Sequence, residues 1–172
     1  MKMDIVANSK NDEFYTPLYA ITPIEKYIKP KSTIWCPFDT KDSNFVKRFK
    51  GLGHYVINTH LSDGGDFFKI EMPSCDYIIS NPPYSLKYEV FERLYILDKP
   101  FAMLVGVVGL FESKKRFNLF KENYIQTMYL SKRITYFKNY EDQKPSLNPP
   151  FSSIYACRGM LPEQIMFEEV VK

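Results

Sequence analysis

The residues best placed to do chemistry close the run Cys75-Asp76-Tyr77-Ile78-Ile79-Ser80-Asn81-Pro82-Pro83-Tyr84. An apolar stretch ends there on an asparagine, two prolines and a tyrosine. Consecutive prolines fix φ and carry no N–H. Pro82 and Pro83 therefore hold the Asn81 side chain and the Pro82 carbonyl as rigid acceptors, with no competing backbone donor beside them. Two converging acceptors suit a planar amino group: each takes one N–H hydrogen, and the nitrogen lone pair is freed from the π-system toward an electrophile. Tyr84 offers a ring face on which an extruded base stacks. Asn-Pro also opens ordinary turns, and the chain holds a second copy, Asn148-Pro149-Pro150-Phe151. That copy follows no apolar run and reads as a loop before the final strand.

Such a segment works only if a sheet delivers it to an open edge. The apolar spacing predicts a helix over Pro17 to Ile28, weakened at Pro23, and others over Ser43 to Phe49, Lys87 to Leu97 and Lys114 to Asn123. Strands are predicted at Thr33 to Cys36, His54 to Asn58, Cys75 to Ile79, Phe101 to Val108 and Ser153 to Cys157, with one or two more inside Ile125 to Phe137. The continuous apolar run Phe101 to Val108 is the pattern of a strand buried on both faces. Helices alternating with strands imply an α/β fold with a mostly parallel central sheet and helices on both faces. Ligands of such sheets sit beyond the carboxyl ends of the strands, so the loops after Cys36, Asn58, Ile79 and Val108 are the places to look.

Composition fits this reading. The 172 residues are 45% hydrophobic and 25% charged, one ordinary globular domain over 1–172. Aromatics at 16% argue against disorder. No apolar run reaches the ~18 residues a membrane span needs, and Met1 to Lys10 lacks the apolar core of a secretory signal. Cys36, Cys75 and Cys157 are odd in number and far apart, neither a disulfide framework nor a metal-site spacing. A reduced, cytoplasmic protein without a metal is expected. Net charge is only +3, but Phe111 to Tyr140 holds seven basic residues against two acidic ones, with aromatics interleaved. Segment 111–150 is thus a candidate DNA-contacting region, led by Lys114, Lys115, Arg116, Lys132 and Arg133. A solvated helix face followed by an ordinary strand is the alternative for the same residues.

An apolar strand ending in Asn81-Pro82-Pro83-Tyr84 resembles the catalytic motif of S-adenosylmethionine-dependent amino methyltransferases, above all the DNA adenine-N6 methyltransferases. Asp12-Glu13-Phe14-Tyr15-Thr16-Pro17 is similar to the segment that precedes their first helix and closes over the cofactor. Cys36-Pro37-Phe38-Asp39 resembles a degenerate form of the Asp-Pro-Phe loop after their first strand. Gly65-Asp66-Phe67-Phe68 places an acid fifteen residues before Asn81, where the family holds the cofactor's adenine amino group. The order covers Asp12 to about Cys157, and the whole string resembles short phage-encoded members.

The resemblance implies a Rossmann-like class I methyltransferase fold and S-adenosylmethionine as cofactor, held by Phe14, Tyr15, Thr16, Cys36, Pro37, Phe38, Asp39, His60, Asp66 and Phe67. It implies methyl transfer to adenine N6 in double-stranded DNA, with the base flipped onto Tyr84 and Phe151 against its other face. Protein glutamine or an RNA amino group is the alternative substrate, since such enzymes share the motif. A non-catalytic binding or counter-defence module is a third reading. Two departures stand out. No glycine precedes Gly51, where the family has a glycine-rich turn, and Ser43 and Asn44 are the candidates to replace it. The second strand ends without the family's ribose-binding acid, leaving Asn58, His60 or Asp63.

Overall fold

The computed structural model describes residues 14–172. Asp12, Glu13 and the Met1 to Lys10 segment read for a secretory signal lie outside the described residues. The chain forms strands β1 (Thr33–Cys36), β2 (Tyr55–Asn58), β3 (Tyr77–Ser80), β4 (Phe101–Gly106), β5 (Gln126–Leu130), β6 (Tyr136–Phe137), β7 (Pro145–Leu147), β8 (Ser153–Arg158) and β9 (Ile165–Glu168). Its helices are α1 (Thr22–Glu25), α2 (Asn44–Gly51), α3 (Lys87–Leu97) and α4 (Lys114–Glu122). A seven-stranded sheet runs β2-β1-β3-β4-β8-β5-β9. Its pairs are parallel except those made by β8, which runs against both β4 and β5. The sheet is mostly parallel, as expected.

Alternation along the strands divides the core. Ile34, Cys36, Tyr77, Ile79, Ala102 and Leu104 face one layer, with Phe45, Val46 and Phe49 of α2 packed on them. Trp35, Ile78, Phe101, Met103 and Val105 face the other, against Val90, Phe91 and Leu94 of α3. β3 and β4 are buried along their whole lengths. That burial on both faces is the reason their sequences read as unbroken apolar runs.

The elements that aim the site start cleanly. Ser43 caps α2 by accepting from Val46 N, and Ser113 caps α4 by accepting from Arg116 N. The single helix expected over Pro17 to Ile28 is instead a 3-10 turn at Leu18–Ala20 followed by the short α1. Pro23 sits in the first turn of α1, where its missing N–H costs nothing. Two strands were not expected. β7 exists only as the partner of β6, inside segment 111–150 and beyond the strands expected within Ile125 to Phe137. β9 is the last strand, so Asn148 precedes the penultimate one, β8, and not the final one. No described helix is long and apolar enough to cross a membrane, and no described group of His, Cys, Asp and Glu is placed to hold a metal.

The return from β8 to β9 hangs on one buried side chain. Gln126 Nε2 donates to the Leu161 carbonyl at 2.7 Å, and its Oε1 accepts from Met160 N and Leu161 N. Gln126→Ala strands these backbone groups in the core. It is expected to cost about 1–3 kcal/mol, read as a lower urea midpoint with an unchanged slope.

Candidate active site

The carboxyl ends of the parallel strands β1, β2 and β3 lie at one edge, and the chain leaves each into a loop that lines the site, whereas no described residue of the loop after β4, also expected there, lines it. A cavity of about 330 Å³ opens there, within the ~300–1,000 Å³ usual for small-molecule sites. The expected Phe14, Tyr15, Thr16, Pro37, Phe38, Asp39, His60, Asp66, Phe67, Asn81 and Pro83 all line it. Cys36 does not. It is fully buried in the core at the end of β1, with its thiol pushed up by burial, because strand alternation turns it toward α2. Pro82 is buried and Tyr84 stands beside the cavity; neither lines it. The cavity also takes Ser43, a candidate to replace the missing glycine turn, Gly65 and Phe68, which flank Asp66 and Phe67, and Thr40, Leu61, Leu86 and Tyr140, which sequence reasoning had not placed there.

Asn81 follows β3 directly, and its amide has one defined orientation. Nδ2 donates to the Phe14 carbonyl at 2.8 Å and to Thr16 Oγ1 at 3.1 Å. A backbone carbonyl only accepts, so the group facing it must be the NH₂ end. Oδ1 is thereby left buried with no hydrogen-bond partner among the described residues. A buried acceptor without a partner is costly and uncommon in a folded chain. It marks a place where a donor is expected to arrive.

The glycine-poor loop after β1 is held by β2. Thr59 N donates to the Cys36 carbonyl at 3.1 Å, and Asp39 N donates to the Thr59 carbonyl at 3.2 Å. Asn58 Nδ2 donates to the Asp39 carbonyl, and Trp35 Nε1 donates to Thr59 Oγ1. Backbone and side-chain clamps replace the turn that glycine would allow. Ser43 lines the cavity, but Asn44 does not: its Nδ2 donates to the Thr16 carbonyl at 2.9 Å, tying α2 to the N-terminal segment.

Three acid or imidazole groups sit on the walls. Asp66 Oδ1 accepts from Phe68 N and Oδ2 pairs with Lys69 at 3.0 Å, which together hold the carboxyl below its ordinary value. His60 caps the 3-10 turn Leu61–Asp63 by accepting from Ser62 N at Nδ1, so it combines a strand-end role with a place on the cavity wall. Gly65 closes on this turn so tightly that a Cβ there would lie 2.9 Å from that of Thr59. Asp39 is buried and accepts from Ser80 Oγ at 2.5 Å. Burial pushes its carboxyl up to about 6, against the pull of the Ser80 and Ser43 hydroxyls and of His60.

Aromatic rings flank Asn81. Tyr84 stacks on Phe14, with centroids 4.9 Å apart and planes at 24°, and Phe151 tilts against it at 5.5 Å. The Tyr84 face expected to be open for a base is therefore covered by Phe14. Its hydroxyl bonds that of Tyr136 at 2.9 Å, and Tyr136 bonds Ser153 at 2.7 Å. Phe151 lies directly on Gly106, whose missing Cβ would meet the ring at 2.6 Å. Tyr140, within the segment 111–150 expected to contact DNA, turns inward: its hydroxyl accepts from Thr16 N at 3.1 Å, and burial raises its pKa. The β6–β7 hairpin thus forms part of the cavity wall, with Tyr15 bridged to Phe137 alongside it. Lys114, Lys115 and Arg116 occupy the first turn of α4, which follows β4 at this same edge, while Lys132 and Arg133 are exposed just after β5.

No protein-family model matches the sequence, and no curated protein matches it. The fold is shared with solved structures. A modification subunit assigned to a type I restriction enzyme of Vibrio vulnificus YJ016 matches with a TM-score of 0.58 at 12% identity, over 96% of this chain and 49% of that one. A chain from a structure describing complex assembly and conformational transition of the type I restriction–modification system matches with a TM-score of 0.55 at 12% identity, over 98% of this chain and 47% of its own. The chain has a Rossmann-like methyltransferase fold and spans about half the length of these neighbours.

Asp39 gives this site a measurable signature. Its folded pKa of about 6 lies above the ordinary 3.8. The folded state therefore holds its proton more tightly, and stability falls as pH rises from about 4 to 6, then stays level with respect to this group. A shift of this size corresponds to about 3 kcal/mol at pH 7. Asp39→Asn removes that cost and is expected to be more stable than the parent at pH 7 by about 1–3 kcal/mol. The gap should shrink toward pH 4.5, as read from urea unfolding at both pH values.

Proposed function

We propose that the chain is an S-adenosylmethionine-dependent methyltransferase acting on adenine N6 in DNA. The observation that carries this is the buried Oδ1 of Asn81, left without a partner among the described residues on a side chain that lines the cavity. The residues present suit the cofactor. Phe14, Phe38 and Phe67 give apolar and aromatic walls, Asp66 is an ionised acceptor for an adenine amino group, and His60 stands at the end of β2. S-adenosylmethionine, when bound, supplies an electrophilic methyl group.

The chain's own residues do the rest. Asn81 Oδ1 and the Pro82 carbonyl accept the two amino hydrogens and orient the nitrogen lone pair toward the cavity. Such fixed positioning contributes several kcal/mol to a bimolecular transfer. No general base is required, because the amine becomes acidic once its new bond forms. Tyr84, Phe14 and Phe151 form an aromatic group that favours a planar base over the flexible side chain of glutamine. A flipped base enters against Tyr84 by displacing the Phe14 ring or by separating Phe151 from it.

The first turn of α4 supports a polyanionic partner. Lys114, Lys115 and Arg116 stand there with no acid among them, although cations at a helix N-terminus oppose the dipole and cost stability. Lys132 and Arg133 add exposed charge. Contacts of this kind position a duplex without reading its sequence.

Three experiments test the reading. Asn81→Ala is expected to lower methylation of DNA by about 100-fold or more, with melting temperature close to that of the parent. Asn81→Asp, which still accepts, should keep measurable activity. A normally folded Asn81→Ala that methylates at the parental rate excludes the assignment. Label from S-adenosylmethionine is expected in DNA and not in RNA or total protein. Separately, Lys114, Lys115 and Arg116 changed together to Ala should weaken binding to all duplexes alike. The slope of log affinity against log salt should fall by roughly one unit per lost phosphate contact. A loss confined to one sequence would assign these residues to base reading.

A further inference from the structure

The charges around the cavity do not balance. Among the described residues no lysine or arginine lines it, and two carboxylates do. Asp66 is already matched by Lys69 at 3.0 Å. Asp39 has no lysine or arginine partner among the described residues: its carboxylate accepts from the Ser80 hydroxyl, with the Ser43 hydroxyl and the His60 ring nearby. It is 5% exposed and sits in the wall between the β1 loop and the residue preceding Asn81. A carboxylate buried without a counter-charge is destabilising, and its upward pKa shift reflects that burial. Such a group persists where something positive arrives to neutralise it.

We infer that Asp39 is the counter-charge for the cationic part of the methyl donor, and that it selects charged donors over neutral nucleosides of the same shape. This rests on the methyl-donor reading of the cavity. At this loop the resemblance implies glycines, whose contribution is neutral backbone N–H groups. This chain instead places a fixed negative charge there. Ser80, which directly precedes Asn81, holds the carboxylate in place by its hydrogen bond, and Ser43, the cap of α2, stands nearby. S-adenosylmethionine offers two cationic centres, an ammonium and a sulfonium, and either satisfies the same chemistry.

Binding calorimetry with three ligands tests this without any turnover. S-adenosylmethionine carries both cations, S-adenosylhomocysteine only the ammonium, and methylthioadenosine neither. Asp39→Asn is expected to weaken S-adenosylmethionine at least tenfold and to leave methylthioadenosine within twofold of the parent. If S-adenosylhomocysteine weakens equally, the ammonium is the partner; if it is unchanged, the sulfonium is. Equal weakening of all three ligands, or of none, overturns the inference. Asp39→Ser, a smaller polar replacement, serves if the Asn variant does not fold. Failure of both to fold would mean that the carboxylate is structural and would also overturn the inference. If the parent protein binds none of the three, the methyl-donor reading itself fails. Binding by the parent that Asp39→Asn does not alter fails this inference alone.

Discussion

A backbone carbonyl has no hydrogen to give, and that constraint organises the site. The Phe14 carbonyl lies 2.8 Å from the Asn81 amide and admits only its NH₂ end. The acceptor end is therefore forced into a buried position where nothing in the described chain satisfies it. A set of contacts keeps that bond in place. Thr16 adds a second acceptor for the amide, Asn44 and Tyr140 fix the backbone of Thr16, and the Tyr15–Phe137 bridge fastens the segment to the β6–β7 hairpin. The N-terminal segment is thus the element that orients Asn81 as well as a wall of the cavity.

The same economy governs the loop after β1. A glycine-rich turn permits close approach because it lacks side chains. Here the loop is glycine-free and its path is fixed from outside, by Thr59 and Asn58 at the end of β2. The consequence is a side chain, Asp39, where a glycine turn would offer only backbone. The stability given up by burying that carboxylate and the binding it offers to a cation are two aspects of one feature.

Much of this was legible in the sequence, and the exceptions have physical causes. Helix α3 has the bounds that apolar spacing predicted, Lys87 to Leu97, because its inward face is continuous. The cavity set was readable wherever a motif carried it: the residues around Phe14, Asp39, Asp66 and Asn81 converge as expected. Cys36 was misplaced because a motif position does not reveal which face of a strand a residue takes. Tyr140 was missed because its place depends on β7, and a strand beginning with proline forms only when an edge partner is available. β9 left a weak signal, the apolar triple Ile165-Met166-Phe167, obscured because Ile165 and Phe167 remain exposed and only Met166 of the three packs on the core. The stacking of Phe14 on Tyr84 joins residues seventy positions apart, and no local pattern encodes it.

The most direct measurement concerns the orientation of the Asn81 amide in the ligand-free protein. Its two Nδ2 hydrogens can be followed by nitrogen-edited NMR and assigned by their loss in Asn81→Asp. Both are bonded, one to a backbone carbonyl and one to Thr16 Oγ1. They should exchange with solvent far more slowly than those of exposed asparagines, and Thr16→Ala should accelerate the exchange. An Asn81 NH₂ group exchanging at the rate of a free side-chain amide would mean that the acceptor is not held toward the cavity, and the account of this site would be wrong.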